Sequence, residues 1–212
     1  MKMKFNIFLI IIKFVTITNS WNIYTHNLLT NKCLSKIDNM YYYEDIILNG
    51  LQIYDDNIYD TSRHYYNPIT KNNNIEIKNP TAFTQFIYHF TQSQKYKNDN
   101  DIPKSSYELG QALHYFEDIH VPYHVSQMWQ IHKHKAFENH AYLIYNNINF
   151  DKYDHYNNKF NKIDIINNNI TIDKYFDHCA FQTLYLFEKK IIDPQIYLQN
   201  CYNNLFTLFN LL

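Results

Sequence analysis

The chain has 212 residues, 46% hydrophobic and 18% charged, with a formal net charge of −1. That is enough for one sizeable core, too short for two ordinary domains, and unlike a polycation that grips nucleic acid by neutralising phosphates. Aromatic residues make up 18%, with 21 Tyr and 15 Phe against 2 Gly and 5 Pro, which argues against collagenous, Gly-rich disordered and turn-dense all-β architectures and favours helices.

Residues 1–20 pair a basic start (Lys2, Lys4) with an apolar stretch over 5–17 and end in Thr18, Asn19 and Ser20. That is the grammar of a secretory signal peptide; about 13 mostly apolar residues fall short of the roughly 20 that span a bilayer. Cleavage after Ser20 leaves Trp21 as the mature N-terminus and a single domain over 21–212 with a net charge of −4. Its destination is secretion or the secretory and endomembrane system.

Further along, short helices are predicted over 24–36 and 41–51, then a loop over 52–79. Phe83, Phe86, Ile87 and Phe90 follow Asn79-Pro80, read as a cap and a first-turn proline. Ser105-x-x-Glu108 reads as a capping box before Leu109, Ala112, Leu113 and Phe116, and this helix stops before Pro122. A short helix over 135–147 follows. Ile172, Phe176, Cys179, Ala180, Leu184 and Phe187 make one further stripe, and Leu198, Cys201, Tyr202, Leu205, Leu208 and Phe209, after Asp193-Pro194, make the last. Nothing reads as sheet, so the predicted fold is all-α, a compact bundle of about seven to nine helices, which builds metal sites by aiming side chains inward. Cys33, Cys179 and Cys201 allow at most one disulfide, with buried free thiols an equal alternative. Asn169 heads a glycosylation sequon.

The eleven His carry the chemistry. His114 and Asp118 stand four apart on one predicted helix face, His124 follows Pro122 in a loop, and His134 and Glu138 repeat the four-residue spacing. Imidazole and carboxylate suit zinc, and an i,i+4 pair is a two-point helical grip. His132 lies two residues from His134 but has Ala136 where the acid should be. His89, His120, His132, His140, His155 and His178 are therefore read as having no metal role.

The run His114-Tyr-Phe-Glu-Asp118-Ile-His-Val-Pro122-Tyr-His124, followed by His134-Lys-Ala-Phe-Glu138, resembles the signature of the zinc-dependent phospholipases C and the related P1/S1-type nucleases, closest to the bacterial-type phospholipases. The resemblance covers Trp21 to about Asn147 by motif and implies a secreted all-helical domain with a tri-zinc cleft. By it, Asp55 (with Asp56 and Asp60 as the nearby alternatives), His64, His114 and Asp118 hold a first zinc; His124, His134 and Glu138 hold a second; and Trp21, His26 and the other oxygen of Asp118 hold a third. Trp21 acts through its freed α-amine, with a pKa near about 8, where a peptide nitrogen would not serve. Asp55 is also the catalytic residue that orients or deprotonates the attacking water. The implied activity is hydrolysis of the glycerol-phosphate ester of phospholipids to diacylglycerol and a phosphorylated headgroup by zinc-activated water. A membrane surface and phospholipid headgroup are the implied partners, with the chain a monomer lacking a stable protein partner and any appended membrane module.

Two alternatives stand beside this reading: a P1/S1-type single-strand nuclease/3'-nucleotidase, with nucleic acid as partner, and an inactive secreted zinc-binding protein. The short Trp21-to-His26 spacing is nearer the nuclease pattern. Glu117 stands where the family has Gly and is expected to add negative charge to the cleft beside Asp118. Asp56 replaces an aromatic that helps box choline in the bacterial phospholipases.

Overall fold

The computed structural model of the chain describes residues 23–37, 42–53, 61–126, 131–150 and 171–210. Trp21, Asp55, Asp56, Asp60, His155, Asn169 and the signal segment over 1–20 lie outside them. Eight α-helices are bounded within the described residues: α1 (Ile23–Leu34), α2 (Glu44–Gly50), α3 (Ala82–Asn98), α4 (Ile102–Asp118), α5 (Pro122–Val125), α6 (Ile131–Ile144), α7 (Ile172–Glu188) and α8 (Pro194–Phe209). A 3₁₀ turn, Tyr145–Asn147, extends α6. There is no strand among the described residues, and no helix there is long and apolar enough to cross a membrane.

The central element is α4, buried at every position from Ala112 to Asp118, so it is covered on all sides rather than along one stripe. Much of the aromatic excess serves this core. Phe86 of α3 stacks on Phe176 of α7 at 4.7 Å and tilts against Phe116 of α4 at 5.7 Å, each ring contributing roughly 1.5–3 kcal/mol by leaving water.

Both glycines of the chain meet at the crossing of α2 and α4. A Cβ on Gly50 would stand 2.3 Å from the Tyr107 carbonyl oxygen, and one on Gly110 would stand 2.2 Å from that of Ile47. The clash is with backbone, so no side chain can turn aside to relieve it. This close approach delivers the end of α2 to α4: the Gly50 carbonyl accepts from Gln111 Nε2 at 2.6 Å, and the next carbonyl, Leu51, accepts from His114 Nδ1 at 2.7 Å.

Three helix starts differ from the sequence expectation. Asn79-Pro80 lies outside α3; Thr81 caps it in a reciprocal capping box with Thr84, whose hydroxyl also reaches back to Asn79 Oδ1 at 3.2 Å. Asp101, with Pro103 in the first turn, starts α4 a turn before Ser105. Ser105 is thereby placed inside the helix, where its hydroxyl bonds the Ser93 carbonyl at 2.7 Å and ties α4 to α3. Pro122 opens the short helix α5, so His124 is helical rather than in a loop. In agreement with the sequence, α4 ends at Asp118, α8 starts after Asp193, whose side chain caps it, and the described residues from 63 to 80 form turns. Cys33, Cys179 and Cys201 are buried free thiols.

Candidate metal centre

Two groups of buried ligand atoms flank the end of α4, each with its atoms within 4.8 Å of one another. The first is His124, His134 and Glu138. The i,i+4 spacing on α6 stacks His134 over Glu138, and α5 brings His124 across until the two Nε2 atoms stand 2.9 Å apart. His124 donates from Nδ1 to the His64 carbonyl at 2.8 Å, which leaves its Nε2 with a lone pair. Tyr65 stacks on the His124 ring at 4.5 Å, and its hydroxyl lies 3.4 Å from His134 Nδ1. Glu138 Oε1 lies 2.6 Å from His134 Nε2 and 3.8 Å from His124 Nε2, yet is buried without a hydrogen bond.

The second group is His26, His114 and Asp118, with His64 beside it. His26 comes from α1, His114 and Asp118 from α4, and His64 from the turns before α3. Asp118 is the hub: Oδ2 lies 2.7 Å from His64 Nδ1 and 3.6 Å from His114 Nε2, while Oδ1 lies 3.5 Å from His26 Nε2 and 3.9 Å from His124 Nδ1. The His26 and His114 rings stack at 4.2 Å. The resemblance divides these two imidazoles between different ions, whereas the structure brings them together around one carboxylate.

Burial sets the protonation states. It lowers His26, His124 and His134 to about 4 and takes His114 well below its usual range, so all four rings are neutral and able to ligate at pH 7. Burial pushes the Asp118 carboxyl up, but His114, His64 and His124 outweigh it and hold the group well below the carboxylate range. Glu138 has too little positive charge nearby, and burial raises it to about 8. Neutral imidazoles converging on a carboxylate oxygen that no proton donor satisfies are a donor set that fits a borderline-soft divalent cation such as zinc.

Glu117 corrects one expectation. Its carboxylate does not join Asp118 in facing the group; it is fully buried on the other side of the His26 ring, with Oε2 2.5 Å from Nδ1 and Oε1 accepting from Thr30 Oγ1 at 2.5 Å. Sequence reasoning also missed Thr30, though it stands four residues after His26 on the same helix, and Tyr65, next to His64. Neither the Leu51 carbonyl nor the His64 carbonyl leaves a sequence signal, because a backbone acceptor has no residue identity.

The remaining described histidines lie elsewhere. His120 bonds the Phe116 carbonyl and accepts from Asn204 Nδ2 at 3.0 Å, occupying both ring nitrogens. His89 pairs with Glu108 at 2.7 Å, His132 and His140 are exposed on α6, and His178 is half-buried on α7.

No protein-family model and no curated sequence matches the chain. Among solved structures, an alpha toxin from Clostridium absonum superposes with a TM-score of 0.62 at 18% identity, covering 88% of this chain and 55% of that one. The Clostridium perfringens alpha-toxin from avian strain SWCP gives the same TM-score and identity, covering 87% and 61%. The chain has the helical fold of these toxins. It spans 55–61% of their length, and at 18% identity the likeness to the alpha toxins is one of helix arrangement.

Proposed function

We propose that the chain is a zinc-dependent phospholipase C that hydrolyses the glycerol-phosphate ester of phospholipids, releasing diacylglycerol and a phosphorylated headgroup. The observation that carries the reading is the convergence of two buried histidine–carboxylate groups at the end of α4. It is supported by the His114-to-Glu138 signature and by the helical arrangement shared with the alpha toxins.

In this reading His124, His134 and Glu138 hold one zinc, and His26, His64, His114 and Asp118, with Trp21 and Asp55, hold two more. Zinc, when bound, supplies Lewis acidity toward a phosphoryl oxygen and toward water. The chain supplies alignment. Leu51 and His64 lend their carbonyls to His114 and His124, fixing the tautomer that leaves Nε2 unprotonated. Asp118 directs its two oxygens to different imidazoles, a disposition suited to bridging. Asp55 is assigned to take the proton of the attacking water. Exposed Tyr24 and Tyr142, 6.0 Å apart on the helices that carry His26 and Glu138, offer the apolar body and polar tip suited to a lipid surface.

The test is hydrolysis of phosphatidylcholine and of single-stranded DNA by the chain beginning at Trp21, each with and without chelator. Release of phosphorylated headgroup that stops with chelator is the expected result. Release of nucleotides instead selects the nuclease reading, which the Trp21-to-His26 spacing favours. Neither activity in a zinc-loaded chain overturns both.

A further inference from the structure

We infer that Glu117 is a positioning residue for the His26 metal centre, a buried carboxyl group that holds Nδ1 of His26 and so fixes Nε2 as the nitrogen that faces the metal. The inference rests on the metal reading of His26, His114 and Asp118 proposed above and extends it to a residue that does not itself ligate.

The geometry is specific. Glu117 and Asp118 are consecutive on α4, so their side chains leave the helix about 100° apart, and the His26 ring lies between them. Glu117 Oε2 meets Nδ1 at 2.5 Å, and Asp118 Oδ1 meets Nε2 at 3.5 Å. A ring that ligates through Nε2 must carry its proton on Nδ1, and Glu117 is the acceptor placed for that proton. Its second oxygen is engaged by Thr30 Oγ1, one turn beyond His26. Both bonds therefore reach the same helix, α1, and fix its rotation against α4, so that His26 is aimed at Asp118 rather than past it.

The contrast with the other rings shows what Glu117 adds. His114 and His124 give Nδ1 to backbone carbonyls, whereas His26 alone of the three gives it to a side-chain carboxyl group. A carboxyl group is costly to bury in a helix-packed interior without a compensating role. Burial pushes Glu117 well above its usual range, so what it gives the ring is a fixed partner at Nδ1. The His26 centre therefore depends on the side chain at 117 for its alignment, as the His124, His134 and Glu138 group does not.

The experiment is zinc release against a ladder of competing chelators, with cobalt substitution to follow the ligand field spectroscopically. His26→Ala and Glu138→Ala first identify which class of bound metal belongs to which centre. Glu117→Leu keeps the bulk of the side chain and removes both of its bonds. It is expected to weaken the His26 class by about tenfold or more, shift the cobalt spectrum of that class and leave the Glu138 class unchanged, whereas Glu117→Gln, which keeps an oxygen for the Nδ1 proton, should restore most of the loss. Thr30→Val, which removes the bond to Oε1, should act in the same direction by less, and it carries the test if Glu117→Leu does not fold. Unchanged affinity in Glu117→Leu and Thr30→Val, in a chain whose His26 class is removed by His26→Ala, overturns the inference alone. A wild-type chain that takes up no zinc overturns the metal reading and this inference with it.

Discussion

The two ligand groups at the end of α4 are built by opposite routes. His124, His134 and Glu138 fall within fifteen consecutive residues on α5 and α6, and local spacing alone brings them together. His26, His64, His114 and Asp118 come from three separate segments, and the His26–Glu117 bond joins residues 91 apart. The charge logic differs too. Asp118 is held ionised by the imidazoles around it, whereas Glu138 is kept neutral by burial to about 8. The long-range group thus has its ligand charge in place before a cation arrives, and the local group acquires it on binding.

The largest expected effect comes from the hub of the long-range group. Asp118→Asn should abolish phosphatidylcholine hydrolysis and strip zinc from the His26 group while the His124 group stays loaded, as read by metal analysis beside the assay. Retained activity would refute the bridging role. Glu138→Gln is the mirror experiment: zinc affinity of the local group should fall by more than the about hundredfold that bounds an outer-shell change, with the His26 group unaffected in the same chelator titration.

Next in size is Gly110→Ala. Its Cβ would meet the Ile47 carbonyl at 2.2 Å, forcing α2 from α4 at a cost of about 2–3 kcal/mol or more in denaturant unfolding. Because that shift moves the Leu51 carbonyl away from His114, metal at the long-range group should weaken as well.

The smallest effect is a pH dependence confined to the local group. The Glu138 carboxyl must ionise to ligate, so below about 8 zinc affinity there should fall about tenfold per pH unit. The sign in the metal-free chain is opposite: a raised carboxyl favours the fold fully below its ordinary range, and that contribution is lost as pH rises through about 8. Calorimetry of zinc uptake in two buffers of different ionisation enthalpy should count the released proton.

How much was legible in the sequence follows the same division. The stripes of α7 and α8 and the Asp193-Pro194 start of α8 were readable because each pattern lies within a few consecutive turns. The His134–Glu138 pair was readable for the same reason. Ser105 misled because Asp101 and Pro103, one turn earlier, form the stronger start. Glu117 was misread because its partners, His26 and Thr30, are joined to it only by the packing of α1 on α4. The two glycines gave a count, but nothing in the sequence said that they touch.

The account's central claim is that these groups are zinc centres, and native mass spectrometry of the folded, zinc-titrated chain beginning at Trp21 tests it most directly. The prediction is three zinc ions that survive removal of loosely held metal, with those of the His26 group lost in Asp118→Asn. A folded chain that retains no zinc under the same conditions would contradict it.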